Sequence, residues 1–224
     1  MFARIALGYD LSNRLMTFGL DQRWRVRAAR IALAQSNPAP RVLDLATGTG
    51  DLAFALLQIN PRARVVGLDL TREMLERATE KTQRAGIHPT PSLLNSDTLD
   101  LPFADNTFDA ITSGFMLRNL VNLERGFAEM VRVAKPHAPI VALEITRPRL
   151  PLWREFFNLY FYRLTPILGG TITGDFAAYR YLPASLTRFI APQELAAIMT
   201  RAGVRDVQYI LLNLGTVAIH YGIK

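Results

Sequence analysis

The stretch from residue 42 to residue 53, VLDLATGTGDLA, constrains the fold of this chain more than any other. Its first residues, up to Leu45, predict a short buried strand, and the apolar pattern from Leu52 to Ile59 predicts a helix. Between them, Gly48 and Gly50 allow a sharp turn whose backbone a ligand can approach closely. Because the first turn of a helix also has free backbone N–H groups, this unit predicts a site for a nucleotide-like ligand.

Two ligand classes fit the glycine turn. The spacing from Gly48 through Gly50 to Ala53 matches the dinucleotide pattern G-x-G-x-x-G/A, which allows NAD. Asp44 before the first glycine and Asp51 beyond the turn disfavour a pyrophosphate and favour a ligand with positive charge. S-adenosylmethionine carries a sulfonium and an ammonium group, so Asp44, Gly48 and Gly50 predict this cofactor. The alternative for Asp44 is that it only braces the turn.

The composition narrows the class of protein. The chain has 224 residues, 50% of them apolar, which suffices for one domain with a buried core. It has no cysteine, which excludes disulfides and thiolate chemistry, and no run of about 18 apolar residues that would predict a membrane span. With no secretory leader at the N-terminus, we expect a cytoplasmic protein.

The net charge of +7 comes mainly from arginines that are spread along the whole chain. Because they are not clustered in one arm, we expect no nucleic-acid partner. Diffuse basic charge also suits the anionic surface of a membrane, where peripheral contact is an expectation.

Strands and helices alternate after the glycine turn. Repeated strand–helix–strand units with right-handed crossovers give an open, mostly parallel sheet with helices on both faces, and ligands bind at the carboxyl ends of its strands. The sequence therefore predicts an α/β, Rossmann-like fold. The further strands are expected at 64–68, 92–94, 108–112 and 140–143, and the helices between them at 71–85 and 123–133.

Several side chains follow the predicted strands at the ligand-binding edge. Asp69 ends the second strand, where a carboxylate can accept both ribose hydroxyls of NAD or of S-adenosylmethionine. Asp97 and Thr98 follow the third strand, where an adenine edge would lie, and Met74 is expected to pack against the ring. The alternatives are that Asp97 is a turn residue and that Met74 belongs to the core.

Two segments flank the predicted sheet. Residues 1–37 form a helical cap in which Tyr9, Asp10 and Asn13 come together at a helix start, where Asp10 could also be an N-cap. The apolar, aromatic segment 150–169 is interrupted by charges, which disfavours a membrane span. It predicts a helical lid over a lipophilic substrate, with a plain core helix as the alternative.

Five strings of the sequence resemble motifs of the quinone-biosynthesis C-methyltransferase family, whose members methylate demethylmenaquinone or a ubiquinone precursor. They are LPFADNTFD at 101–109, GFMLRN at 114–119, YDLSN at 9–13, YRYLPAS at 179–185 and VAIHYG at 217–222. The resemblance spans nearly the whole chain.

The resemblance implies a class I methyltransferase fold, with a seventh, antiparallel strand at 214–220 beside 207–212. It also implies cofactor contacts at Thr49, Asp69, Asp97, Thr98 and Gly114; since some members have serine at the last position, any contact there comes from the backbone. We expect a single domain made of the cap 1–37, a cofactor-binding core 38–149, a substrate lid 150–203 and a strand pair 204–224.

The implied chemistry requires the substrate's hydroxyl to lose its proton, because the phenolate makes the neighbouring carbon nucleophilic. A phenol with a pKa near ~10 keeps that proton at neutral pH. Arg118 is the predicted catalytic residue, since a fixed guanidinium stabilises the oxyanion; it is a poor base, so a water that it holds or a nearby carboxylate would take the proton. Asn119 is expected to fix that water or the second hydroxyl.

The remaining candidates for the proton path are Asp10, Tyr9, Tyr181 and His220, and a histidine satisfied within the last strand is the alternative for His220. Substrate contacts are expected from Tyr9, Arg118, Phe157, Phe161 and Tyr181. The sequence thus predicts an S-adenosylmethionine-dependent C-methyltransferase of an isoprenoid hydroquinone, with no metal and with a homodimer as one expectation. The alternatives are an NAD-dependent oxidoreductase and a non-catalytic module that binds the membrane surface.

Overall fold

Seven strands of the described chain form a single sheet with the order β3-β2-β1-β4-β5-β7-β6. The computed structural model describes residues 8–34, 37–148, 150–173 and 190–224. Strands β1 to β5 pair in parallel, and β7 runs antiparallel to both β5 and β6. This confirms the mostly parallel Rossmann-like sheet with an antiparallel last strand. The strands are β1 (Arg41–Leu45), β2 (Arg64–Asp69), β3 (Ser92–Asn95), β4 (Ala110–Gly114), β5 (Pro139–Ile145), β6 (Arg205–Leu212) and β7 (Val217–Ile223).

Helices precede, connect and follow these strands, and local sequence explains where several of them begin and end. The Asn122 side chain accepts a hydrogen bond from the Arg125 N–H and caps a helix, while proline occupies the first turn of two others. The helices are α1 (Tyr9–Thr17), α2 (Leu20–Leu33), α3 (Asp51–Ile59), α4 (Arg72–Ala85), α5 (Leu123–Val133), α6 (Pro151–Leu159), α7 (Thr165–Thr173) and α8 (Pro192–Arg201), with a π-helical segment, Tyr160–Leu164, joining α6 to α7.

The sheet is buried on both faces. Neighbouring residues of β1 point to opposite sides, so that Leu43 joins a core with Phe127 of α5 while Val42 joins a second core with Leu56 of α3. All four side chains are fully inaccessible to solvent. This two-sided burial explains why the central strands are almost continuously apolar.

Several boundaries differ from the sequence-based expectation, and three of the differences concern how the elements pack. Strand β4 begins at Ala110 because Phe108 makes only an isolated bridge to Ala134. The last strand begins at Val217, after a 3₁₀ turn at Asn213–Gly215. At the end of the interval 150–203, where a substrate lid was expected, α8 packs Leu195 and Met199 into the sheet's core.

The parallel strands bring their carboxyl ends to one edge of the sheet, where the glycine turn and Asp69 lie. Within the described residues, no helix has both the length and the apolar character needed to cross a bilayer. Tyr181 and its motif at 179–185 lie outside the described residues.

Candidate active site

The glycine turn after β1 adopts a backbone conformation that suits glycine. Gly48 and Gly50 have φ angles of 57° and 89°, and a Cβ atom on Gly50 would lie 2.7 Å from the Phe54 ring. The Gly48 N–H donates to Asp69 Oδ2 at 2.8 Å, and the Thr71 N–H donates to Asp69 Oδ1 at 2.8 Å. These two bonds hold the Asp69 carboxylate at the end of β2, while burial raises its pKa.

Asp44 lies beneath the turn and is completely buried. Its two oxygens accept hydrogen bonds from the hydroxyl groups of Thr47 at 2.6 Å and Thr112 at 2.8 Å. Burial raises the pKa of the carboxyl to about 6, against the opposing effect of these hydrogen bonds. Asp44 does not line the cavity at the carboxyl ends of the strands, so its contacts support the alternative that it braces the turn. Any effect of Asp44 on a bound cation acts at a distance, through the electric field of its charge.

A cavity of about 490 Å³, here called the cofactor cavity, opens at the carboxyl ends of β1, β2 and β4. Its size lies in the range typical of small-molecule sites. Gly114 tolerates a Cβ, which would meet Leu52 at an ordinary 3.5 Å, so serine is sterically acceptable there. Six of the predicted cofactor residues line this cavity: Gly48, Asp69, Met74, Asp97, Thr98 and Gly114.

For two of these residues, the structure also supports the alternative role that the sequence left open. Met74 is 3% exposed, so it serves both the core and the cavity wall. The Asp97 side chain accepts the Leu99 N–H at 2.9 Å, as a turn residue does, and still borders the cavity.

Thr49 and Asp10 lie in an ion-pair network beside the turn, outside the cofactor cavity. The Thr49 hydroxyl donates to Asp10 Oδ1 at 2.5 Å, and Lys81 Nζ donates to Asp10 Oδ2 at 2.7 Å. Lys81 also pairs with Asp51; burial opposes ionisation of Asp51, yet Arg25 and Lys81 together lower its pKa. The predicted catalytic role of Asp10 is therefore not supported by its position. Its contacts instead attach α1 to the glycine turn.

A small inner cavity of about 70 Å³ lies next to the cofactor cavity, and Tyr9 and Phe115 line both. Arg118 also lines the inner cavity, where its Nη1 donates to Glu144 Oε1 at 2.6 Å and to the Phe115 carbonyl at 2.6 Å. The other expected residue, Asn119, lines the cofactor cavity. Arg118 is thus paired with a carboxylate, and the sequence suggested a nearby carboxylate without indicating which one.

Sequence reasoning missed Glu144, although a signal was present. It is the one acid in the apolar strand β5, and it is 1% exposed. It accepts the Ile145 N–H at 2.9 Å in addition to the Arg118 guanidinium. A carboxylate near the carboxyl end of a buried strand requires such partners, because burying an unpaired charge is costly.

A third, mostly apolar cavity of about 250 Å³ adjoins the inner one and is called the apolar cavity here. Trp24, Ile145 and Phe161 line both. Phe157 and Phe161 stack with ring centroids 5.0 Å apart on its wall, so the structure brings both predicted substrate residues to the site. Together the three cavities form a continuous series from the glycine turn to the aromatic helix α6.

His220 lies away from all three cavities. It is buried in the middle of β7, between Ala142 of β5 and Tyr209 of β6, with its Nε2 2.9 Å from the Pro192 carbonyl oxygen. Burial lowers its pKa, which favours the neutral ring. This position supports the alternative of a structural histidine within the last strand and argues against the predicted catalytic role, although the buried Nδ1 has no hydrogen-bond partner among the described residues.

Comparison with known proteins identifies the family. The model of the ubiE/COQ5 methyltransferase family matches residues 1–224, the whole chain. This protein belongs to the ubiE/COQ5 methyltransferase family. A demethylmenaquinone methyltransferase from Thermus thermophilus is 46% identical over 222 residues, which cover 99% of each chain.

Two further relatives illustrate the range of similarity. A ubiquinone/menaquinone biosynthesis C-methyltransferase, UbiE, from Desulfotalea psychrophila is 43% identical over 100% of this chain and 89% of its own. A SAM dependent methyltransferase from Aquifex aeolicus shares the fold with a TM-score of 0.60 at 20% identity, covering 89% of this chain and 97% of that one.

Family membership confirms the predicted enzyme class and cofactor. This protein is an S-adenosylmethionine-dependent methyltransferase. The residues present fit this cofactor, because the Asp69 carboxylate and the exposed Asp97 place negative charge around a cavity of sufficient volume. These relatives do not favour the NAD-dependent oxidoreductase or the non-catalytic module.

Proposed function

We propose that this protein transfers a methyl group from S-adenosylmethionine to a ring carbon of a reduced isoprenoid quinone precursor, either demethylmenaquinol or a ubiquinol precursor. The names of its relatives support this substrate class. The structural observation that carries the proposal is the series of three cavities, in which a buried arginine lies between the cofactor cavity and an aromatic one.

The inner cavity suits the reacting edge of the ring. The bound cofactor supplies an electrophilic methyl group, and the protein must make the ring carbon nucleophilic. Arg118 donates hydrogen bonds there to a developing phenolate, and its buried Nε has no partner among the described residues. Glu144 orients the guanidinium through their 2.6 Å contact. Tyr9 and Asn119 border the same region and would position the hydroxyl groups.

The apolar cavity suits the first isoprenoid units of the tail. Its wall of stacked Phe157 and Phe161 offers apolar surface without charge. The helices around it expose further apolar side chains, and Phe18, which directly follows α1, lies beside Tyr160, with 6.1 Å between ring centroids. A substrate of this kind is dissolved in lipid, so we propose that this end of the protein contacts a membrane surface peripherally. Homodimerisation stays a prediction.

An assay of labelled methyl transfer tests the proposal. The purified protein, with S-adenosylmethionine, is incubated anaerobically with reduced naphthoquinones and benzoquinones that carry tails of different length. We expect transfer to at least one ring class, with long-tailed substrates preferred over tail-less ones. Binding of the cofactor without transfer to any quinol would refute the substrate assignment.

A further inference from the structure

A groove of about 510 Å³ lies on the outer side of α6, away from its apolar cavity face. Its lining includes Arg147, Arg154 and Arg163, together with Asn158 and Tyr162. No carboxylate lines it, and Arg154 and Arg163 form no ion pair with any described residue. Arg154 and Arg163 therefore concentrate positive charge on this exposed surface without a paired carboxylate among the described residues.

The geometry of α6 explains how the groove arises. Arg154, Asn158 and Tyr162 follow one another at four-residue spacing, which places them along one side of the helical segment. Phe157 and Phe161 lie on another side and line the apolar cavity. One continuous helical segment thus carries the wall of the substrate cavity and the wall of a cationic groove.

Guanidinium groups, an amide and a phenol are suited to a phosphate. Arginine presents a planar fork of donors that can bind phosphate oxygens in pairs, while the Asn158 amide and the Tyr162 hydroxyl can add donors. The positive charge of the arginines also attracts such a group electrostatically. A phosphate of this kind could be free in solution or belong to a phospholipid headgroup.

The surroundings of the groove favour the lipid. Leu152 and Leu159 of α6 are 85% and 61% exposed, and Leu159 lines the groove itself beside the arginines. Apolar side chains flanked by arginine are typical of segments that lie in the membrane interface, where the former enter the acyl boundary and the latter bind headgroups. A site for free phosphate would need no such neighbours.

We propose that the groove lined by Arg147, Arg154 and Arg163 binds the phosphate of an anionic phospholipid headgroup and thereby docks α6 on the bilayer. This proposal rests on the proposed function, because a quinol substrate dissolved in lipid is the reason for the protein to bind a membrane. Docking in this way places the helix that walls the apolar cavity at the lipid surface, where a quinol tail is dissolved.

Co-sedimentation with vesicles tests the inference. The unaltered protein should bind vesicles that contain phosphatidylglycerol more tightly than pure phosphatidylcholine vesicles, and salt should weaken that binding. Arg154→Gln with Arg163→Gln should reduce the partition coefficient roughly 30-fold, about 5-fold for each arginine near the surface. The matched control is Arg62→Gln with Arg64→Gln, which removes two exposed arginines near the amino end of β2 and should bind as the unaltered protein does.

Three results would overturn the inference. They are equal binding to both vesicle types, an equal loss in the control variant, or displacement by inorganic phosphate beyond that caused by sodium chloride of the same ionic strength, which would assign the groove to free phosphate. An unchanged melting temperature shows that each variant is folded. If the double variant has a lowered melting temperature, the Arg154→Gln or Arg163→Gln single variant is used in its place. Methyl transfer to a short-tailed quinol without vesicles tests the proposed function separately, so the two failures are distinguishable.

Discussion

Glu144 Oε1 lies 2.6 Å from Arg118 Nη1, and both side chains are buried, at 1% and 5% exposure. Because the two opposite charges of the pair nearly cancel, Arg118 offers the inner cavity oriented hydrogen-bond donors and not an uncompensated cation. A phenolate bound there would be stabilised by hydrogen bonds from a guanidinium of fixed orientation. Glu144 fixes that orientation.

The first prediction concerns the stability of this pair. Glu144→Ala should lower the free energy of unfolding by about 3–5 kcal/mol, because it leaves a buried guanidinium without a counter-charge. Adding Arg118→Ala should cost less than it does alone, since the two losses share one interaction. Urea denaturation of the four proteins of this cycle measures the coupling. Strictly additive losses would mean that the two side chains do not interact in solution.

The second prediction concerns Arg118 in catalysis. Arg118→Gln should reduce the rate of methyl transfer by about 10²-fold or more with cofactor affinity nearly intact, whereas Arg118→Lys should retain part of the rate. If Arg118 favours the phenolate, the Gln variant should regain activity as the pH approaches the free quinol's pKa. Anaerobic rate measurements from neutral to alkaline pH check this. A Gln variant with the unaltered rate at pH 7 would refute phenolate stabilisation by Arg118.

The third prediction concerns cofactor binding. Asp69→Ala should weaken S-adenosylmethionine by about 1.5–3 kcal/mol, because charge-assisted hydrogen bonds to the ribose are lost. The matched control is Asp100→Ala, which removes an exposed carboxylate outside the cofactor cavity. Calorimetric titration should give an unchanged dissociation constant for the control. A dissociation constant for Asp69→Ala equal to that of the unaltered protein would show that Asp69 does not bind the cofactor.

The fourth prediction concerns the tail. Phe161→Ser should lower activity toward long-tailed quinols more than toward a tail-less analogue, because Phe161 lines both the inner and the apolar cavity. Leu164→Ser, which alters a 48% exposed side chain of the same Tyr160–Leu164 segment that lines neither cavity, is the comparison for nonspecific effects on the fold. Equal losses toward both substrates, together with a large drop in melting temperature, would favour a core helix over a substrate wall.

The fifth prediction follows from the pKa of Asp44, which burial raises to about 6. An aspartate in the unfolded chain titrates near ~3.9, so between these pH values the native state keeps a proton that the unfolded state has lost. Raising the pH through this window should therefore cost stability, on the order of 3 kcal/mol from this residue.

Asp44→Asn, which cannot ionise, tests this directly. The variant's stability relative to the unaltered protein should be more favourable at pH 7 than at pH 4, as measured by urea denaturation. Taking the difference between the two proteins cancels the contribution of His220, whose lowered pKa acts in the opposite direction. The same difference at both pH values would mean that Asp44 does not change its charge in the folded protein.

The sequence predicted best what depends on local pattern. The glycine turn and Asp69 follow from strand and helix periodicity, since the ends of parallel strands meet at one edge whatever the details of packing. The roles of Asp10 and His220 could not be predicted in this way. Asp10 is held by Lys81, 71 positions away, and His220 by the Pro192 carbonyl, 28 positions away. Such contacts depend on how helices pack, which a motif does not report.

Glu144 shows the opposite case. Its identity stood out in an apolar strand, but its partner Arg118, 26 positions away, is set by the 3₁₀ turn at Leu117–Asn119 that follows β4. The sequence could indicate that a buried acid needed a cation, without indicating which of many arginines would supply it.

The attachment of α1 has a consequence for cofactor exchange. Among the residues of this helix Ser12 alone is fully buried, and charge contacts from Asp10 to Thr49 and Lys81 hold its start at the glycine turn, while its Met16 carbonyl accepts the Tyr160 hydroxyl. Tyr9, the next residue, borders both the cofactor and the inner cavity. Because Lys81 and Asp10 are partly exposed, dissolved ions compete with this attachment. We therefore expect the start of α1, which borders the cofactor cavity, to be held less tightly as the ionic strength rises, so that exchange of the cofactor becomes faster.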